Sequence, residues 1–139
     1  MQGKEEQRTI ILKLDDGEEL FESLRNAIQK FNIKSGFVQA GIGMLKDIEI
    51  GYFDGHKYHT KHLEKPHELV SLQGSISTKD EIIIHLHCSL AGENHELIGG
   101  HLISGKVCIV NEILIKKFEN VLLGRVLNPS TGLKELTVE

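Results

Sequence analysis

The feature that most constrains the fold is a near-strict alternation of apolar and polar residues between residues 82 and 90. Successive side chains of a β-strand point to opposite faces, so this segment can bury its apolar residues together only as a strand. The face predicted to lie in the core carries Ile82, Ile84, Leu86, Cys88 and Leu90. The opposite face carries Ile83, His85, His87 and Ser89. The segment therefore predicts a half-buried strand with two imidazoles side by side on its polar face.

The rest of the chain predicts one helix and several further strands. Residues 9–14 are rich in residue types that favour β-strands and predict a first strand. Asp16 is a candidate helix N-cap, with Glu19 as its capping-box partner. Apolar residues then recur at helical spacing up to Phe31, and Asn32 would end the helix. Further strands are expected at 48–53, 58–63, 68–76, 95–103 and 107–118. One amphipathic helix packed on a mostly antiparallel β-sheet gives an α+β fold.

Length, charge and cysteine content narrow the class of protein. The 139 residues fit a single domain, residues 1–139, and 40% hydrophobic residues suffice for one core. No apolar run is long enough to cross a bilayer and the first residues are too polar for a signal peptide, so we expect a cytoplasmic protein without a membrane partner. Cys88 and Cys108 lie in apolar runs and are expected in the core. The net charge of −4 does not favour nucleic-acid binding, which draws on clustered Lys and Arg.

A third histidine is predicted to join the pair on the polar face. The segment from Gly92 to Asn94 has the composition of a hairpin loop. If residue 93 is the centre of the turn, His85 lies opposite His101. Directly opposed side chains share a face, with Cβ atoms about 4.5–5.5 Å apart. A register shift of one residue would instead turn His101 to the other face.

Three histidines without an obvious fourth ligand predict an open site for a divalent metal, formed by His85, His87 and His101. Zinc is the first expectation because it suits neutral imidazole, and nickel, copper, iron or cobalt are alternatives. The other interpretation is a polar surface or subunit contact whose histidines bond to the backbone. No catalytic base can be assigned. Glu68 and Glu96 are the candidate proton-transfer carboxylates, although the assumed register would place Glu96 on the core face.

A second group of histidines is expected to be exposed. His56, His59, His62 and His67 follow a turn, and their spacing does not place them on one face of a strand. His95 lies beside the predicted hairpin loop and is expected in solvent.

The order of motifs along the chain resembles the PPC family, the plant and prokaryote conserved domain of unknown function. The segments that carry the resemblance are 41–43, 50–54, 68–76, 85–87, 99–102 and 131–133. The resemblance implies a compact α+β domain that assembles as a homotrimer. It also implies DNA binding, by analogy with plant relatives that carry an Arg-rich AT-hook. Arginine occurs here only at Arg8, Arg25 and Arg125, so that arm is missing.

The fold implied by this resemblance is also similar to that of acetolactate decarboxylase, a zinc enzyme. Its metal is held by a His-x-His pair and a later histidine, a pattern that falls on His85, His87 and His101. Three functions therefore stay open. The first is an oligomeric PPC module that binds a protein or nucleic-acid partner. The second is a metal-dependent lyase or hydrolase acting on a small oxygenated molecule. The third is a trimeric scaffold with a solvated histidine groove.

Overall fold

A computed structural model describes all residues from 1 to 139. It contains one helix and nine strands, in the order β1 (Gln2–Glu6), β2 (Thr9–Asp15), α1 (Leu20–Lys30), β3 (Ser35–Phe53), β4 (Tyr58–Leu63), β5 (His67–Ser77), β6 (Ile83–Ala91), β7 (Leu97–Lys117), β8 (Leu123–Leu127) and β9 (Lys134–Val138). The predicted α+β class, with one helix against an antiparallel sheet, is confirmed. No helix has both the length and the apolar character needed to cross a membrane.

Seven strands form one antiparallel sheet in the order β1-β2-β7-β6-β5-β3-β4, and β8 and β9 form a separate hairpin. Strand β3 also pairs with β7, so β3, β5, β6 and β7 close into a ring. The inner side of this sheet and the apolar face of α1 enclose a core of 23 buried residues. The other side of the sheet, which we call the outer face, is the one available for a functional site.

The helix begins later than the sequence predicts. Its N-cap is Glu19, whose carboxylate accepts a hydrogen bond from the Glu22 N–H at 2.8 Å. Asp16 was the expected cap, but its carboxylate accepts from the Ile109 N–H at 2.9 Å instead. The reason is that Gly17 and Glu18 exchange backbone hydrogen bonds with Val107, which holds this segment against β7. Asn32 adopts a positive φ of 49° just after the helix, as expected of a stop residue.

Strand β6 has the two faces that its alternation predicts. Leu86, Cys88 and Leu90 are buried, whereas His87 is exposed. Ile82 is an exception, because it precedes the strand and is 39% exposed. The expectation that both cysteines are core residues holds for Cys88 only, since Cys108 is partly exposed.

One pair of predicted strands is in fact a single long strand. Residues 95–103 and 107–118 were expected as two strands, but β7 runs continuously from Leu97 to Lys117. Residues 101–107 of β7 stay paired with β3. The register between the two strands shifts in this region, so β7 continues through the segment that was expected to separate two strands. Strand β1 was not predicted at all, because its residues are polar and it lies at the edge of the sheet beside β2.

Candidate metal centre

The β6–β7 hairpin brings His101 to the outer face beside His85 and His87. Its loop spans residues 92–96, and the Gly92 N–H donates to the Glu96 carbonyl at 3.1 Å. Residue 94 is therefore the centre, and His101 pairs with His87. The predicted pairing of His101 with His85 is wrong by two residues. Because side chains alternate with a period of two, this shift leaves His101 on the predicted face.

The three imidazoles lie within contact distance of one another. The ring centroids of His85 and His87 are 5.1 Å apart, those of His85 and His101 are 5.0 Å apart, and those of His87 and His101 are 5.4 Å apart. One nitrogen from each ring lies within 4.8 Å of the others. The sequence therefore predicted that these three histidines lie together, although by an incorrect register.

The Nε2 atoms of His85 and His87 are 3.3 Å apart. Two nitrogens bound to one tetrahedral zinc at about 2.0–2.1 Å would be about 3.3–3.4 Å apart. This pair therefore already has the spacing of two metal ligands. His101 would supply the third ligand, since one of its ring nitrogens lies within 4.8 Å of the other two ligand atoms.

The position of His101 depends on a glycine on the neighbouring strand. Gly51 of β3 pairs directly with His101. A Cβ atom at Gly51 would lie 2.9 Å from Cδ1 of Tyr58, so only glycine leaves space for the tyrosine ring. The Tyr58 and His101 rings pack with their centroids 5.1 Å apart. The imidazole of His101 is thus held between Tyr58 and His85.

The environment favours the neutral form of two of the histidines. Burial, the positive charge of Arg125 and the neighbouring histidines lower the pKa of His85 to about 4. Burial, followed by the effect of His87, lowers the pKa of His101. Metal ions bind neutral imidazole, so both rings are in the ligand-competent state near pH 7.

A buried atom without a partner also fits a metal. The Nδ1 atom of His101 is buried and makes no hydrogen bond. An unpaired buried polar atom costs free energy, and a bound ion is one of the few groups that would satisfy it. Three neutral imidazoles are a donor set suited to zinc and to other late first-row divalent metals.

A cleft of about 420 Å³ opens beside His101, where β6 and β7 diverge beyond their last paired residues. It is lined by His101 and Ile103 on one side and by residues of α1 on the other. Clefts of this size accommodate small organic molecules.

The two candidate carboxylates do not reach the three histidines. Glu68 and Glu96 are both exposed and line a separate depression at the loop end of the β6–β7 hairpin. The exposure of Glu96 corrects the expectation that it faces the core, which followed from the incorrect register. No Asp or Glu joins the histidine cluster.

The second group of histidines forms no comparable cluster. Nε2 of His59 lies 2.5 Å from the Asp54 carboxylate. Backbone N–H groups of Lys57 and His56, with the His59 side chain, lower the pKa of Asp54 to about 2. The expected exposure is confirmed for His56, His59, His62 and His95, while His67 is half-buried.

The sequence analysis missed one residue beside the site. Arg125 of β8 donates from Nη2 to the Ser75 hydroxyl at 2.6 Å, and Ser75 pairs directly with His85 across β5 and β6. The C-terminal hairpin therefore places a guanidinium one strand away from His85. No local pattern around Arg125 reveals this, because the contact joins residues 50 positions apart.

Comparison with known proteins places the chain in a family. Residues 1–119 match the model of the Plants and Prokaryotes Conserved (PCC) domain. A plant- and prokaryote-conserved (PPC) protein from Pyrococcus horikoshii is 35% identical, with a TM-score of 0.82 over 92% of this chain and 91% of that one. No curated protein sequence matches the chain.

Two further solved structures share the fold. A metal-containing protein from Archaeoglobus fulgidus is 29% identical, with a TM-score of 0.85 over 96% of this chain and 95% of that one. A candidate DNA-binding protein from Bacteroides thetaiotaomicron is 22% identical, with a TM-score of 0.91 over 98% of this chain and 96% of that one, a likeness of fold alone. With the family model matching residues 1–119, the chain belongs to the Plants and Prokaryotes Conserved domain family, the PPC family.

Proposed function

We propose that this protein binds one divalent metal ion, zinc in the first instance, through His85, His87 and His101, and uses it to bind a small oxygenated molecule. The observation that carries the proposal is the 3.3 Å separation of two Nε2 atoms, with a third imidazole 5.0 Å from His85 between ring centroids. The metal-containing relative from Archaeoglobus fulgidus supports it, since a member of the same fold is described as holding a metal.

The chain would contribute three ligands and leave one position open. His87 is exposed, so the side of the cluster away from the core is accessible to a ligand from solvent. When bound, the metal would polarise an oxygen atom of that ligand as a Lewis acid. Since no carboxylate of the chain lies in the cluster, binding of the ligand is the first activity to test. A lyase or hydrolase reaction on such a ligand is the enzymatic form of the same proposal.

The test is elemental analysis of protein purified without a histidine tag. We expect one metal equivalent per chain in the wild type and loss of most of it in H85A, H87A and H101A. H59A is the matched control, because His59 is exposed, its ring bonds to Asp54 and it lies outside the three-histidine cluster, so its metal content should equal that of the wild type. Wild-type protein without metal after growth with excess zinc would contradict the proposal, as would full metal content in all three variants.

DNA binding is a second candidate, favoured by the description of the structural neighbour from Bacteroides thetaiotaomicron. The charge distribution of this chain argues against it. Arg8 contacts Glu119 at 2.6 Å, and Lys117 contacts Glu5 at 2.7 Å, so these two cations are already paired with carboxylates of the chain. Phosphate contacts need cations that are available to the nucleic acid.

We also propose that the protein assembles as a homotrimer through the outer face of its sheet. The support is a row of apolar side chains that crosses β2, β7 and β3, in which Ile11 pairs with Leu114 and Leu114 pairs with Ala40. Ile11 is 60% exposed and the adjacent Ile42 is 53% exposed. Apolar surface of this kind is typical of contacts between copies of a protein.

A further inference from the structure

We infer that Arg125 binds the carboxylate of the ligand, so that the ligand is a small carboxylate with a second oxygen atom on the adjacent carbon. The carboxylate would contact the guanidinium while the second oxygen reaches the three-histidine centre. This inference rests on the proposed function, and it adds a ligand class and a recognition residue to it.

The first argument is the way Arg125 is held. Nη2 donates to the Ser75 hydroxyl at 2.6 Å, and Nη1 donates to the Lys134 carbonyl of β9 at 3.2 Å. Ser75 is only 4% exposed, and its strand partner is His85. Directly opposed residues share a face with their Cβ atoms about 4.5–5.5 Å apart. Two hydrogen bonds from different strands therefore fix the guanidinium on the same face as the histidines.

The second argument is that this cation has no anion. Arg125 is partly buried and takes part in no ion pair with an Asp or Glu, and its Nε is buried without a hydrogen-bond partner. A partly buried charge without a counter-charge is costly. A divalent ion at the adjacent histidines would add further positive charge, again with no carboxylate from the chain. An anionic ligand is the group that would balance both.

The third argument identifies the kind of anion. A guanidinium matches the two oxygens of a planar carboxylate and binds them side by side. A phosphate carries more charge and usually draws on several cations, but the neighbouring lysines are already paired. Lys134 contacts Glu81, and Lys79 contacts Glu139. A single available arginine fits a singly charged carboxylate.

The experiment uses the full-length protein loaded with Co²⁺, whose visible absorption reports changes in metal coordination. L-Lactate is the probe, and propane-1,2-diol is its counterpart without the carboxylate. We expect lactate to change the cobalt spectrum at concentrations where the diol does not. R125Q should weaken lactate binding by at least about tenfold, because a charge-assisted contact is lost. R125K keeps the positive charge but lacks the planar guanidinium, so its affinity for lactate should lie between those of the wild type and R125Q.

The control is R8Q, which removes an arginine paired with Glu119 and should bind lactate like the wild type. The cobalt spectrum without lactate shows whether each variant keeps the folded site. A wild-type protein that gives no cobalt spectrum overturns the metal centre and this inference with it. A normal cobalt spectrum with equal lactate affinity in R125Q and wild type overturns the role of Arg125 alone. A response to inorganic phosphate but not to lactate overturns the carboxylate assignment.

Discussion

Burial and the charge of Arg125 act in the same direction on His85, and both lower its pKa. Between about pH 4 and pH 6.5 the imidazole of His85 is mostly neutral in the folded protein. An exposed histidine, with a pKa of about 6.5, would be mostly protonated over the same range. The unfolded chain therefore binds more protons than the folded chain between about pH 4 and pH 6.5. By proton linkage, this residue makes the metal-free protein less stable as the pH falls through that interval.

The titration of His85 can be measured by NMR on metal-free protein. We expect the imidazole resonances of His85 to show a midpoint near pH 4 in the wild type. In R125Q the midpoint should rise, because a positive charge that opposes protonation is removed. Burial should keep it below that of a free histidine, since burial is the larger cause. A wild-type midpoint near 6.5, or no difference between the two proteins, would contradict the environment described for His85.

At the scale of the element, one face of β6 packs in the core and the other carries two of the candidate metal ligands. Leu86 lies between His85 and His87 in sequence but points into the core and is 0% exposed. L86A should therefore lower the free energy of unfolding by about 2–5 kcal/mol, the usual cost of a buried Leu-to-Ala change. The matched change L97A, at a leucine that is 66% exposed on β7, should cost less than about 0.5 kcal/mol.

Chemical denaturation of metal-free protein measures both values, and elemental analysis then tests the other face. Folded L86A should bind the same amount of metal as the wild type, because its change is on the opposite side of the strand. Equal stability of L86A and L97A would show that the core face of β6 is assigned incorrectly.

The same strand shows how far the sequence predicts the site. Alternation gives the face of each β6 residue, because it depends only on neighbours in the chain. The hairpin register depends on the length of the loop, and the composition of residues 92–96 did not define its centre. The proximity of Arg125 depends on how the C-terminal hairpin packs on β5, which no periodicity encodes. Helix periodicity predicted the body of α1, whereas its start is set by backbone bonds to Val107.

At the scale of the whole molecule, the sheet encloses its core on one side only. The single helix covers the inner side, and the row formed by Ile11, Leu114 and Ala40 lies on the other side. A shallow cleft of about 250 Å³ follows this row and includes Ile42. Apolar residues at the middle of a sheet stabilise the protein only where something covers them. In the proposed trimer, other copies of the chain cover this row.

Substitution of Ile42 by Glu tests that assembly. A specific interface usually buries about 800 Å² per partner, and a carboxylate at position 42 would lose hydration there while lying directly opposite the like-charged Glu112. We therefore expect wild-type protein to elute as a trimer in size-exclusion chromatography with light scattering, and I42E to elute as a folded monomer. V138E is the control, because Val138 is also exposed but lies on the C-terminal hairpin, away from the row. A monomeric wild type, or a trimeric I42E, would show that this surface is not the contact, and the exposed isoleucines would then need a partner other than the chain itself.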